Sequence, residues 1–276
     1  MGTYLKEAFH LSGTARGVWR LLSDPPLTAE MNMAIDEAIA LTFCKQKIPT
    51  VRLYQWDAPA LTIGSFQEMA PLAPWLQDDQ IPIIRRITGG RALLHDQEIT
   101  YSVVADTDDP VFSGGIKKTF YAIAQGLLAG LNRLGIPAEI FIPKKEIVQS
   151  PFCIQSISWY EIAVSEKKLI GSAQKRWTNH FLQHGSIPLA PSPFAEKLKI
   201  KTPIHLCELF AQLPDHHEIK HAIRNGFETA FGIQFEEQPL TEEEKKIADR
   251  LITEKYGNKE WNNNRNKRSN PTLSSL

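Results

Sequence analysis

Apolar side chains recur at helical spacing from Thr28 to Gln46, directly after Pro25-Pro26, and predict a helix there. The stretches TVRLYQW (50–56) and ALTIG (60–64) read as a strand pair separated by Asp57-Ala58-Pro59. PIIRRI (82–87) and ITYSVV (99–104) are two further strands, and they flank the pair Gly89-Gly90. A long helix from Gly115 to Leu134 follows, stopped by Gly135-Ile136-Pro137. SWYEIAV (158–164), KLIGSAQKRW (168–177) and FLQHGSIPL (181–189) are strand candidates, the first two joined by the turn Ser165-Glu166-Lys167. Helices dominate after residue 192. In TEEEKKIADRLITEKYG (241–257), Thr241 and Glu244 form a capping box, Ile247, Ala248, Leu251 and Ile252 share a face, and Gly257 closes the helix.

Strands and helices mix without strict alternation, which predicts an α/β (α+β) fold: a mixed sheet flanked by helices, with a smaller helical C-terminal part over about 192–257. One domain is expected over 1–261. The segment 262–276 has almost no large apolar side chains and reads as a tail outside the fold.

Charge narrows the partners. Thirty-one basic and 31 acidic residues cancel, so no global field draws the chain to nucleic acid or an anionic membrane. No window of eighteen apolar residues and no secretory leader is visible, and the cytoplasm is the expected compartment. Three cysteines, far apart and without a C-x-x-C pair, fit free thiols rather than a disulfide framework or a zinc site. Cys44 and Cys207 read as small buried hydrophobes.

Two stretches suggest chemistry. HEIKH (217–221) matches the zinc-protease pattern, but Asp215 and Glu218 make a capping box, and His217 and His221 fall out of phase with the buried Ile219, Ile223 and Phe227. No metal site is expected. RRITGGRALLHDQEITYS (85–102) is richer: Arg85 and Arg86 alternate across a strand, so one should face inward and need an acceptor or anion. Glycines beside it let backbone N–H groups approach a carbonyl, and His95 can add a hydrogen bond. From these residues alone, an anion or carbonyl site and a structural turn both remain open. Cys153 sits in the polar loop QSPFCIQS, and Lys167 or Lys168 can fold back across the predicted hairpin. An ammonium within about 4–6 Å favours thiolate over thiol and would make Cys153 a nucleophile. GSAQ, with Gly171, Ser172 and Ala173, and the segment Gln183-His184-Gly185-Ser186 supply small and polar groups near such a site.

With those residues in view, the chain resembles the biotin/lipoate protein ligase superfamily, most closely its LipM-like branch of octanoyl-carrier-protein:protein octanoyltransferases. RRITGGRALLHDQEITYS, the cysteine before SWYE, KLIGSAQ and LQHGSIPL carry the likeness in that order, from NMAIDEAI to KYGNKEW. The resemblance implies that Arg86, Thr88, Gly89, Gly90 and Arg91, with His95, Gly171, Ser172, Ala173, His184 and Gly185, bind an acyl substrate. It implies that Cys153 carries the octanoyl group as a thioester and that Lys168 lowers the thiol pKa. The donor implied is octanoyl acyl carrier protein, the acceptor a glycine cleavage H protein or lipoyl domain, and no cofactor is needed. ATP-dependent lipoate ligases are similar over the same regions and would require ATP and Mg²⁺. They typically have a third glycine where this chain has Arg91, and a glycine after the His-Asp pair where it has Glu98 at the second position. An amidotransferase between lipoyl domains would use the same cysteine. This chain departs from the branch at Ile154 and Ile157, where an aromatic and a proline are common. Lys144, Lys145, Lys167, Lys175 and Arg176 cluster in sequence and could receive an acidic carrier helix or be ordinary solvated strand ends.

Overall fold

The computed structural model describes residues 17–70, 72, 81–141, 160–198, 200 and 202–264. The expectations for Cys153, for Lys144 and Lys145, and for the tail beyond residue 264 lie outside the described residues. In chain order the strands are β1 (Val18–Ser23), β2 (Thr50–Tyr54), β3 (Ala60–Ile63), β4 (Ile83–Arg85), β5 (Leu93–His95), β6 (Glu98–Asp106), β7 (Glu139–Phe141), β8 (Glu161–Val164), β9 (Lys167–Arg176), β10 (His180–Pro188) and β11 (Gln234–Glu237). The helices are α1 (Ala29–Gln46), α2 (Ile116–Arg133), α3 (Pro193–Lys197), α4 (His216–Phe231), α5 (Glu242–Leu251) and α6 (Lys259–Asn263).

Eight strands form one mixed sheet in the order β11-β1-β2-β6-β10-β9-β8-β7, and three form a smaller sheet, β4-β3-β5. Alternation along β6 sorts the two faces. Ile99, Tyr101, Val103 and Ala105 pack toward α2 and α4, while Val104 and the hydroxyl of Ser102 meet α1. The mixed sheet flanked by helices is the architecture the pattern predicted. Among the described residues, no helix is long and apolar enough to cross a membrane.

Local chemistry accounts for most helix ends. Thr28 caps α1 by accepting from the N–H of Met31, and Thr241–Glu244 closes its capping box at the start of α5. Glu244 has a second duty: its two carboxylate oxygens take both terminal nitrogens of Arg20 at 2.5 and 2.7 Å, tying α5 to β1. α2 and α4 approach closely at glycines, where a Cβ on Gly226 would lie 2.3 Å from the backbone nitrogen of Gly130.

Several details differ from the sequence pattern. β2 and β3 do not pair: β2 lies between β1 and β6, whereas β3 joins β4 and β5. The intervening Trp56 is buried and donates to Glu98 and Thr100, which turns the chain out of the large sheet. β11 adds a parallel edge strand next to β1, so the helical C-terminal part also contributes to the main sheet. Gly257 is not a left-handed cap. α5 instead passes into one wide π-type turn, Ile252–Tyr256, and the Gly257 N–H returns to the carbonyl of Ile252. Helix α6 continues to Asn263, and Asn262 is buried, where it accepts from the Arg85 N–H at 2.9 Å. Cys44 is exposed on α1 and Cys207 is half-buried, so neither is the small core residue expected.

Gly226→Ala is expected to force α2 and α4 apart and lower the unfolding free energy by about 1–3 kcal/mol. Urea denaturation followed by circular dichroism measures it, and an unchanged midpoint would mean that the helices separate freely.

Candidate functional site

A cavity lies on the α1 face of the large sheet and is roofed by the small one. It runs from Gly171 and Ala173 on β9, past His184 and Ser186 on β10 and Thr100 on β6, to Tyr54 on β2, with Met33 of α1 beside it. Thr62, Arg86, Leu93 and His95 come from the roof, and about 360 Å³ is empty, mouth included.

Both arginines of the opening motif are buried, which alternation alone does not require. Arg85 donates from Nε to the carbonyl of Trp261 and from Nη1 to those of Gly64 and Gln67, and so pins the loop after β3 to α6. Arg86 turns to the cavity. Its Nε donates to Thr88 at 3.1 Å, Nη1 to Thr62 at 3.1 Å, and Nη2 to the carbonyls of Gly89 and Arg91 at 2.8 Å each. The loop therefore wraps its own guanidinium. Gly90, at φ +90°, is the position that requires glycine: a Cβ there would be strained and would lie 2.8 Å from Arg86 Nη2. Gly89 has open space around it and no such need.

Two carboxylates organise the histidines. His184 Nε2 lies 2.7 Å from Thr88 Oγ1 and its Nδ1 3.1 Å from Asp36 Oδ2. His95 Nε2 lies 2.7 Å from Thr62 Oγ1 and its Nδ1 2.8 Å from Glu98 Oε1, with the ring stacked on Trp56 at 3.9 Å. His95 was expected to reach substrate; the protein itself engages both of its nitrogens. Asp36 also accepts from Arg52, Tyr54 and Ser102 at 2.9 Å each. Burial pushes the Asp36 pKa up, yet the His184 hydrogen bond and the Arg52 charge outweigh it and hold the carboxyl below its usual range. Glu98 shows the same balance, burial against His95, Ser186 and Thr100, and is likewise lowered. For His184, burial wins over Asp36 and lowers the imidazole pKa.

Lys168 depends on one extra residue. In the β8–β9 ladder, Ile162 faces Ile170 and Ala163 faces Lys168, so Leu169 is a bulge. Leu169 and Ile170 both enter the core beneath α2 and α4, while Lys168 comes into phase with Gly171 and Ala173 on the cavity face. There its Nζ donates to Glu161 Oε1 at 2.7 Å, both side chains 5 % exposed. The Ser165-Glu166 turn before it has two positive φ values, 48° and 63°, without a glycine. Ser172 points to the other face and meets the Tyr101 hydroxyl at 2.6 Å; burial pushes the Tyr101 pKa up to about 12.

The predicted binding residues Arg86, Thr88, Gly89, Gly90, Arg91, His95, Gly171, Ser172, Ala173, His184 and Gly185 thus converge on one cavity and its roof loop. Of the described members of the basic cluster, Lys175 and Arg176 do not share a face. Arg176 donates to Thr119 of α2, whereas the neighbouring Lys175 lies over Trp177 at 4.9 Å on the opposite face, its pKa lowered by burial. His217 and His221 are exposed on α4, and Glu218 closes the expected capping box with Asp215. Sequence reasoning missed Asp36, Glu98, Thr62 and Glu161. A visible signal existed for the first: Asp36 interrupts an otherwise apolar helical run, MAIDEAIA.

Fold and cavity together define a chain of the lipoyl protein ligase A/B catalytic domain family, whose model matches residues 28–203, and the protein belongs to that family. Among relatives, the octanoyltransferase LipM of Kyrpidia tusciae is 37% identical over 269 residues, covering 88% of this chain and 98% of that one. That of Bacillus subtilis is 33% identical over 271 residues, covering 88% and 97%. Among solved structures, a putative lipoate protein ligase from T. acidophilum with bound lipoic acid superposes with a TM-score of 0.76 at 25% identity, covering 89% of this chain and 99% of that one. A lipoate-protein ligase A bound with ATP superposes at 0.74 and 26% identity, covering 88% and 98%.

The pH dependence of stability follows from the histidines. His180, stacked on Trp177, is pushed down to about 4, mainly by burial and then by Lys47. The unfolded chain therefore binds more protons than the folded one between about pH 6.5 and 4, and stability falls as pH drops through that window. His180→Phe, which keeps the ring stack, is expected to flatten the decline in urea midpoint over that range.

Proposed function

We propose that the protein transfers an octanoyl group from acyl carrier protein, through a thioester on Cys153, to a lysine of a lipoyl-accepting protein such as glycine cleavage H protein or a lipoyl domain. The observation that carries the reading is the buried Lys168, which the Leu169 bulge puts in phase with Gly171 and Ala173 of the largely apolar cavity, its own side chain bordering a second hollow beside Thr202, Pro203 and Ile204. Relatives of nearly the same length named as octanoyltransferases support the substrate class.

In the first step the Cys153 thiolate attacks the donor thioester carbonyl, and collapse of the tetrahedral intermediate expels the carrier thiolate. In the second, the acceptor amine attacks the acyl-cysteine, expels the Cys153 thiolate and forms an amide. The proton released by that amine passes to Lys168, left neutral after its ammonium has protonated the departing carrier thiolate, with Glu161 as its partner. Backbone N–H groups of the Gly89-Gly90 loop or of Gly171 stabilise the oxyanion. Burial of the alkyl tail, at about 0.8 kcal/mol per CH₂, distinguishes octanoyl from acetyl by several kcal/mol. The reaction needs neither ATP nor a metal, and a cytoplasmic setting is the reading that three cysteines without a C-x-x-C pair support.

Incubation with octanoyl carrier protein alone is expected to give a hydroxylamine-labile adduct on the Cys153 peptide, read by mass spectrometry. Cys153→Ser should abolish the adduct and slow transfer at least ~10³-fold, and Lys168→Met should slow it about 10²–10⁴-fold. Product formed from free octanoate, ATP and Mg²⁺ by Cys153→Ser would instead establish a lipoate ligase. Octanoyl transfer from one lipoyl domain to another without carrier protein would mark an amidotransferase.

A further inference from the structure

The donors and acceptors around Arg86 leave little freedom in where the protons sit. A guanidinium only donates. Thr88 Oγ1 and Thr62 Oγ1 must therefore both accept from Arg86, and each hydroxyl proton has to go elsewhere. Both threonines are buried, and in the hydrogen bonds of the described residues the remaining neighbours are His184 Nε2 and His95 Nε2, each at 2.7 Å. A buried hydroxyl left without an acceptor would cost about 1–3 kcal/mol. Each hydroxyl accordingly donates to a bare Nε2, and the ring proton sits on Nδ1. There it faces Asp36 at 3.1 Å and Glu98 at 2.8 Å, two carboxylates that act as acceptors. The opposite tautomer would strand two hydroxyl protons and set a nitrogen lone pair against a carboxylate oxygen on both arms.

We propose that Asp36 and Glu98 are positioning residues that hold His184 and His95 as Nδ1–H tautomers and, through Thr88 and Thr62, fix the Arg86 guanidinium at the cavity wall, so that neither imidazole exchanges a proton during acyl transfer. The two arms share one polarity, running outward from a single cation to two carboxylates. Each ring uses both nitrogens within the protein, so neither offers a lone pair to substrate. Histidines in an acyl-transfer cavity ordinarily suggest acid–base catalysis. Here they act as rigid spacers, and proton handling falls to Lys168. The kinetic part of this proposal rests on the octanoyl-transfer reading; the tautomer part does not.

The test uses the full chain labelled with ¹⁵N-histidine. Long-range ¹H–¹⁵N correlation near neutral pH is expected to show Nδ1–H for His95 and His184, assigned by His95→Gln and His184→Gln. Thr88→Val and Thr62→Val, which keep side-chain shape and remove the hydroxyl, are expected to raise KM for the octanoyl donor about tenfold with kcat much less affected. Thr88→Ser and Thr62→Ser should restore it. An Nε2–H or doubly protonated ring in the wild type would overturn the proposal, as would loss of an ionisation from the kcat/KM pH profile in either histidine variant. A wild type with Nδ1–H rings but no octanoyl transfer would retain the positioning network and reject the transferase reading.

Discussion

A buried guanidinium must be surrounded by acceptors, and in this protein meeting that requirement for Arg86 shapes the whole cavity roof. Its nitrogens draw in the carbonyls of Gly89 and Arg91 and the hydroxyls of Thr62 and Thr88. Those hydroxyls in turn connect to His95 and His184, and thence to Glu98 on β6 and Asp36 on α1. The small sheet is thus joined to the large one at the cavity by directional polar contacts beside the packing of Ala60, Ile84 and Ile87 into the cluster around α1, while Leu61 and Ile63 face away into a separate cluster. Hydrogen bonds of fixed length hold a roof at a set height, which apolar packing alone specifies less sharply. The cavity stays open because its roof is propped.

The same economy appears around α1. This helix is buried on nearly all sides, yet it carries Asp36 and Glu37 side by side. Asp36 faces the sheet and its arginine, tyrosine, serine and histidine donors; Glu37 faces the C-terminal segment, where Lys255 and the Tyr256 hydroxyl take up its oxygens. Each ion is hydrogen-bonded at several points, the condition under which burying charge is tolerable. Together they fasten the helix between the sheet and α5.

Much of this was legible along the chain. Three of the motifs, RRITGGRALLHDQEITYS, KLIGSAQ and LQHGSIPL, lie on strands or tight loops that meet at one cavity, and helix caps at Thr28, Asp215 and Thr241 fall where their side chains predict. The rest was hidden for physical reasons. β2 and β3 look like a hairpin because period-2 alternation reports a strand but not its partner; burial of Trp56 against Glu98, 42 residues away, decides that. Leu169 reads as an ordinary strand residue, and only the ladder shows it as surplus, which is why Lys168 has the phase it does. Asp36 and Glu98 carry no local signature of their task because their histidines lie 148 and three positions away. Cys44 looked like core because an amphipathic pattern does not tell which flank of a nearly submerged helix emerges at Cys44.

The wide turn at Ile252–Tyr256 has a geometric consequence. In an ordinary α-helix adjacent side chains point about 100° apart, so two neighbours seldom reach one target. The five-residue turn slackens the winding, and the ammonium of Lys255 and the phenol of Tyr256 both arrive at the single carboxylate of Glu37. It acts as a vernier between two fixed anchors, the Arg20–Glu244 clamp at one end of the helix and Glu37 at the other. Loss of one residue from that span would rewind the segment and leave one of the two clamps out of reach.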